Sequence, residues 1–165
     1  MRRLKLILLL ILLLGAGVFA WRTLFPSPEK IVRKQLSELA RAVSVAPNEA
    51  PLAQAVNSQK LSTFFTGDVT VLVDVPGRGQ VRLSGNDELL RAAMAARSSL
   101  NGLQVEFLDV SVSVATDKQT AVANLTGKAR VPGEREMMVE EFKFGFRKAG
   151  RNWLIDQVQT VKTLY

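Results

Sequence analysis

Glu140-Glu-Phe-Lys-Phe-Gly-Phe-Arg-Lys-Ala-Gly-Arg-Asn-Trp-Leu-Ile-Asp-Gln-Val158 is the stretch whose reading decides the fold. Phe142, Phe144 and Phe146 alternate with Lys143, Gly145 and Arg147. Alternation with period two gives one apolar and one polar face, the pattern of a half-buried strand. Lys148-Ala-Gly-Arg-Asn152 reads as a turn, and Trp153, Leu154 and Ile155 open a second extended run. Two such runs joined by a short glycine-containing turn form a β-hairpin. Its aromatic content places it at the centre of a sheet.

Working outward, the chain upstream of this hairpin is also strand. Val105 and Phe107 share one parity, whereas Val110, Val112 and Val114 share the other. A one-residue slip would turn every later apolar side chain outward, so a β-bulge is expected at Leu108-Asp109. The last strand shows the same slip between Ile155 and Val158, beside Asp156. Further strands are expected over Val69–Val75, Gln80–Leu83, Ala121–Val131 and Met137–Lys148, all antiparallel. Three helices precede or interrupt them. The first, Glu29 to about Ser44, buries Val32, Leu36, Leu39, Ala40 and Val43 on one stripe. The second runs from Pro51 to about Phe65 with an interruption near Asn57-Ser58, and its apolar members include Leu52, Val56 and Leu61. The third is capped by Asn86, carries Asp87 and Glu88 in its positive first turn, and ends at Asn101-Gly102. Its apolar side is Leu89, Leu90, Ala93, Met94, Ala96 and Leu100. Helices gathered on one face of a sheet give the α+β class.

The N-terminus reads differently. Met1-Arg-Arg-Leu-Lys5 is basic, and Leu6–Trp21 is an uncharged run rich in Leu and Ile. As a helix it spans about 24 Å, against about 30 Å for a hydrocarbon core. Leu4, Leu24 and Phe25 extend it, and Trp21 suits the interfacial belt. A run apolar on all sides needs lipid around it. The expectation is therefore a signal anchor over residues 1–25, with the lipid bilayer as partner of Leu6–Trp21. The alternative is a cleaved signal peptide ending at Val18-Phe19-Ala20. Both put the body of the chain outside the cytoplasm. The domain division is 1–25 anchor, 26–30 proline linker (Pro26-Ser27-Pro28) and 31–165 folded domain.

Composition narrows the chemistry. The 165 residues carry a formal net charge of +7. Arg2, Arg3, Lys5, Arg22 and Lys30 against Glu29 account for more than half of it. What remains is mildly basic and scattered, which is not a nucleic-acid footprint. The chain has no cysteine and no histidine. Thiol nucleophiles, imidazole bases and soft metal ligands are thereby excluded, and nothing calls for a cofactor or metal.

Leu61-Ser-Thr-Phe-Phe-Thr-Gly-Asp-Val69, Leu83-Ser-Gly-Asn-Asp-Glu-Leu-Leu90, and Phe142 to Gly150 followed by Trp153-Leu-Ile155 occur in an order that resembles the nuclear transport factor 2-like superfamily, including the SnoaL-like proteins. The resemblance covers about residues 29–162. It implies a curved sheet wrapped around a long N-terminal helix, a cone with an internal pocket. That fold hosts enzymes, small-ligand binders and interaction modules. Members with a basic N-terminus and one membrane span include periplasmic scaffolds of bacterial secretion machines. Such a layout implies a bacterial inner-membrane protein with a homodimeric or envelope-protein partner. Its enzymes use an interior Asp with a Tyr, His or second carboxylate. Here His is absent and Tyr165 is terminal, so the resemblance implies binding or scaffolding ahead of catalysis. An isomerase or dehydratase, or a carrier of an apolar ligand, is the alternative.

Candidate pocket residues follow from parity. Glu140 shares a face with Phe142 and Phe144, so it points into the cone or reaches water at the strand's open end. Asp74 lies near the mouth or in a solvated turn. Phe142, Phe144 and Trp153 form a ligand platform or pack as core.

Overall fold

The structure, a computed structural model, describes residues 26–75, 79–133 and 137–161. The expected anchor Leu6–Trp21 and the terminal Tyr165 lie outside the described residues. Among those described, no helix is long and apolar enough to cross a membrane.

Three helices, α1 (Pro28–Val43), α2 (Pro51–Ser62) and α3 (Asn86–Ser99), accompany six strands. The strands are β1 (Phe65–Val75), β2 (Gly79–Ser84), β3 (Gln104–Val114), β4 (Thr120–Arg130), β5 (Met138–Ala149) and β6 (Asn152–Thr160). All six form one sheet in the order β2-β1-β6-β5-β4-β3. The β5–β6 hairpin therefore occupies the two central positions adjoining β1 and β4, as its aromatic alternation requires.

The sheet is not wholly antiparallel. β1 and β6 pair in parallel, with Thr70 opposite Gln157 and Leu72 opposite Gln159. Antiparallel pairing was the expectation from consecutive hairpins. β1 and β6 are the first and last strands, however, and no alternation pattern reports which distant strands meet. Both expected bulges are present. The β3–β4 register shifts between Leu108 and Ser111, where Asp109 has φ 51°. The β5–β6 register shifts opposite Asp156, since Gly145 pairs with Gln157 and Phe146 with Ile155. Each extra residue bends its strand, and the bent sheet closes around α1.

α1 begins at Pro28, which sits in the first turn where its missing N–H costs nothing. Val32, Leu36, Leu39 and Ala40 form its buried stripe, as expected, whereas Val43 at its end is half-buried. α2 differs from expectation in two ways. It is continuous through Asn57-Ser58, because the Ser58 hydroxyl donates to the Gln54 carbonyl 2.7 Å away and is fully buried. It also stops at Ser62, so Phe65 already belongs to β1. Leu52 and Val56 are exposed rather than buried, since α2 lies at the edge of the core and covers it with one side only. α3 is preceded by Gly85 at φ 84°, and this glycine, not Asn86, holds the cap position. A positive φ there suits glycine alone. The Asn86 amide instead donates to the Ser62 carbonyl at 3.2 Å, joining the start of α3 to the end of α2. Met94 is exposed, and the fully buried member of α3 is Arg97.

Candidate functional site

The interior of the cone has two halves. In one, Val32, Leu36, Ala123, Phe146, Trp153 and Ile155 pack to near-complete burial. In the other lies an apolar cavity of about 510 Å³. Each element that runs along the interior passes from one half to the other. α1 contributes Val32 and Leu36 to the filled half and Leu39 and Val43 to the cavity. β4 passes from Ala121 and Ala123 to Gly127 and Ala129, and β5 from Phe146 through Phe144 to Phe142, Glu140 and Met138.

Small side chains leave the volume open. α3 faces the cavity with Ala92, Ala93 and Ala96, and β4 does so with Gly127 and Ala129. Gly127 is required by close approach. A Cβ there would stand 2.6 Å from Cε2 of Phe142. The Phe142 ring therefore packs against the β4 backbone at Gly127. It continues a row of rings: Phe142 to Phe144 at 6.2 Å between centroids, Phe144 to Phe146 at 6.4 Å, and Phe107 to Phe144 at 5.8 Å.

The candidate residues fall as follows. Glu140, Asp74, Phe142 and Phe144 all line this one cavity. Trp153 does not. It is 2% exposed in the filled half, and its carbonyl accepts a hydrogen bond from the Gln35 amide on α1. The backbone around Trp153 borders a separate surface groove with Ile31, Lys34 and Phe64. The cavity's charged lining residues are Asp74, Glu140 and Lys128. Lys128 directs its ammonium to Glu106, 3.8 Å away. Asp74 is half-buried, its N–H donates to the Thr160 hydroxyl at 3.1 Å, and that hydroxyl stands 3.5 Å from Asp74 Oδ2. Glu140 is also half-buried, and among the described residues its carboxylate has no ion-pair partner. β6 separates the two carboxylates, with Val161 bonded to the Glu141 carbonyl. Two strand spacings put their backbones about 10 Å apart. They flank the cavity from different strands and do not form a proton-sharing dyad, whose oxygens stand about 3 Å apart.

Beside the cavity lies an ion pair that alternation did not reveal. Arg97 Nη1 donates to both Glu49 oxygens, at 3.1 and 3.0 Å, and the two side chains are only 4% and 5% exposed. Arg97 Nη2 donates to the Ala42 carbonyl and, at 3.4 Å, to that of Ser44. The Asn57 amide completes the set by donating to Glu49. One guanidinium thus satisfies the terminal carbonyls of α1 and anchors the loop before α2. The signal was in the sequence. Leu89, Ala93, Arg97 and Leu100 fall on one stripe, and a charge on a buried stripe demands a buried partner.

On the outer surface Arg147 pairs with Asp68 at 2.9 Å and with Asp156 at 3.5 Å. The hydrogen bonds from Arg147 hold the Asp68 carboxyl below its ordinary range. Gly145 leaves room for this bulge, since a Cβ there would stand 2.8 Å from Asp156 Oδ1. No group of three or more acidic residues in metal-binding arrangement occurs among the described residues.

No family model and no curated protein matches the sequence. Solved structures do match its fold. A nuclear transport factor 2-like protein of unknown function from Pseudomonas putida is 10% identical over 81% of this chain and 85% of its own, with a TM-score of 0.63. A Nostoc punctiforme domain of unknown function with a cystatin-like fold is 15% identical, covering 86% and 80%, with a TM-score of 0.63. A candidate scytalone dehydratase from Novosphingobium aromaticivorans is 11% identical, covering 82% and 84%, with a TM-score of 0.60. At such identities the likeness is one of fold.

Proposed function

We propose that the chain, which has the nuclear transport factor 2-like, cystatin-like α+β fold, is a membrane-tethered domain outside the cytoplasm that binds an apolar small molecule without transforming it. The observation that carries this reading is the open half of the cone. A cavity of about 510 Å³ lies within the range that encloses small ligands, about 300–1,000 Å³. Its walls are Leu, Val, Ala and Phe, so the favourable term is removal of apolar surface from water, about 25 cal/mol per Å². The tether rests on Leu6–Trp21 behind Met1-Arg-Arg-Leu-Lys5, and its direction on the positive flank.

Titration with the neutral fluorophore N-phenyl-1-naphthylamine tests the cavity. Fluorescence should rise and saturate with the natural chain, and Ala93→Trp should weaken binding at least tenfold. Equal binding by both would place the probe elsewhere and refute the reading. Carbonate extraction of membranes tests the tether. The uncleaved chain should stay in the pellet, whereas a shortened, released product would establish the signal peptide instead.

A small isomerase or dehydratase is the second reading. Asp74 and Glu140 in one apolar cavity, and the fold shared with a candidate scytalone dehydratase, favour it. General acid–base chemistry needs a base and a donor converging on one reacting atom. Asp74 and Glu140 rise from backbones about 10 Å apart by strand spacing, which supports binding ahead of catalysis.

A further inference from the structure

We propose that the ligand of this cavity is a cationic amphiphile, an apolar body with a protonated amine or similar donor-rich head, and that Glu140 receives the head. This rests on the cavity reading above and adds the ligand's charge. The apolar walls recognise any hydrophobic body and select nothing by charge. Selection falls to the charged lining residues, which are Glu140, Asp74 and Lys128. Lys128 directs its ammonium to Glu106. The Asp74 backbone and carboxylate both meet Thr160. Glu140 sits on the same strand and face as Phe142 and Phe144, half-buried beside their rings. Among the described residues none forms an ion pair with it. A half-buried carboxylate next to apolar walls gains most from a charge-assisted donor. The neighbouring rings also favour a cation over their faces.

The whole chain makes this inference discriminating. Its formal net charge is +7, so non-specific electrostatic attraction favours anions. A preference for cations would have to arise locally.

The test uses the 165-residue chain in one zwitterionic nanodisc preparation, titrated with decylammonium, decanol and decanoate and followed by the methyl resonances of Leu39 and Leu89. Decylammonium should bind about tenfold more tightly than either of the others. Glu140→Gln should collapse that ratio, whereas Glu141→Gln, on the opposite face of β5, should preserve it. Equal binding of all three compounds, or an unchanged ratio in Glu140→Gln, overturns the charge assignment and leaves the cavity reading standing. Tightest binding of decanoate also overturns it and points to Lys128. Failure of all three to shift either methyl overturns the cavity reading and this inference together.

Discussion

The two halves of the cone are built from the same strands, yet one is packed and the other is open. Phe146 and Phe142 show the difference most simply. Both lie on the inner face of β5. Phe146 is 1% exposed and meets Ile155 in the filled half. Phe142 is half-buried and lies over Gly127 at the cavity wall. Alternation decides which residues face inward. Whether inward-facing residues touch one another depends on side-chain volume opposite, and here α3 supplies Ala92, Ala93 and Ala96 to the open half.

The contrast can be broken by substitution, and the largest effects belong to the filled half. Phe146→Ala should cost about 3–5 kcal/mol in denaturant unfolding, the range for truncating a buried aromatic. Phe142→Ala should cost less than half of that while changing ligand affinity. Equal losses would mean that the open half is packed as tightly as the other.

Arg97→Ala should be comparably severe, about 3–5 kcal/mol, because it strands a buried Glu49 carboxylate. Replacing both partners, Arg97→Met with Glu49→Leu, should recover most of the loss. A double variant as unstable as the single one would show that the helix-terminal carbonyls of Ala42 and Ser44, not the charge, dominate.

Adding volume sharpens the same comparison at a smaller scale. Ala123→Leu in the filled half, where Ala123 is fully buried, should cost about 1–3 kcal/mol by overpacking. Ala93→Leu, facing the cavity, should be neutral or raise Tm slightly while lowering ligand affinity. Matched destabilisation would contradict the cavity.

The smallest effect belongs to the outer surface. Arg147 lowers the Asp68 carboxyl from its ordinary value of 3.8. A depressed folded-state value stabilises the protein above the unfolded value and is lost as pH falls through the folded one. Asp68→Asn should therefore lower stability slightly and evenly above about pH 4, with the difference from the natural chain fading as the pH falls further. Because the group is solvent-exposed, the change should be slight and salt-sensitive.

Most of the fold is legible in the sequence, because alternation and periodicity report which face of each element is buried. The Phe142–Phe146 alternation, the parity slips at Leu108-Asp109 and beside Asp156, and the α1 stripe each report a face, and faces fix the curved sheet around α1. The parallel meeting of β1 with β6 was not legible, because pairing of distant strands leaves no local mark. Parity points Glu140, Phe142 and Phe144 inward, and Asp74 lies near the mouth by its place before Pro76-Gly77; all four line one cavity. Trp153 shares the inner face but lies in the other half, and parity carries no information about depth along the cone. Arg97 lies on the apolar stripe of α3, where only its charge, and not the periodicity, marks the buried pair with Glu49. Leu6–Trp21 is marked by composition alone and lies outside the described residues.

The central claim is that one half of the cone is open and receives a ligand while the other is closed. Methyl resonances report this directly. On saturation of the 165-residue chain with decanol, Leu39, Val43 and Leu89 should shift, whereas Val32, Leu36 and Ile155 should stay in place. Shifts spread evenly over both sets, or confined to the second, would contradict the account.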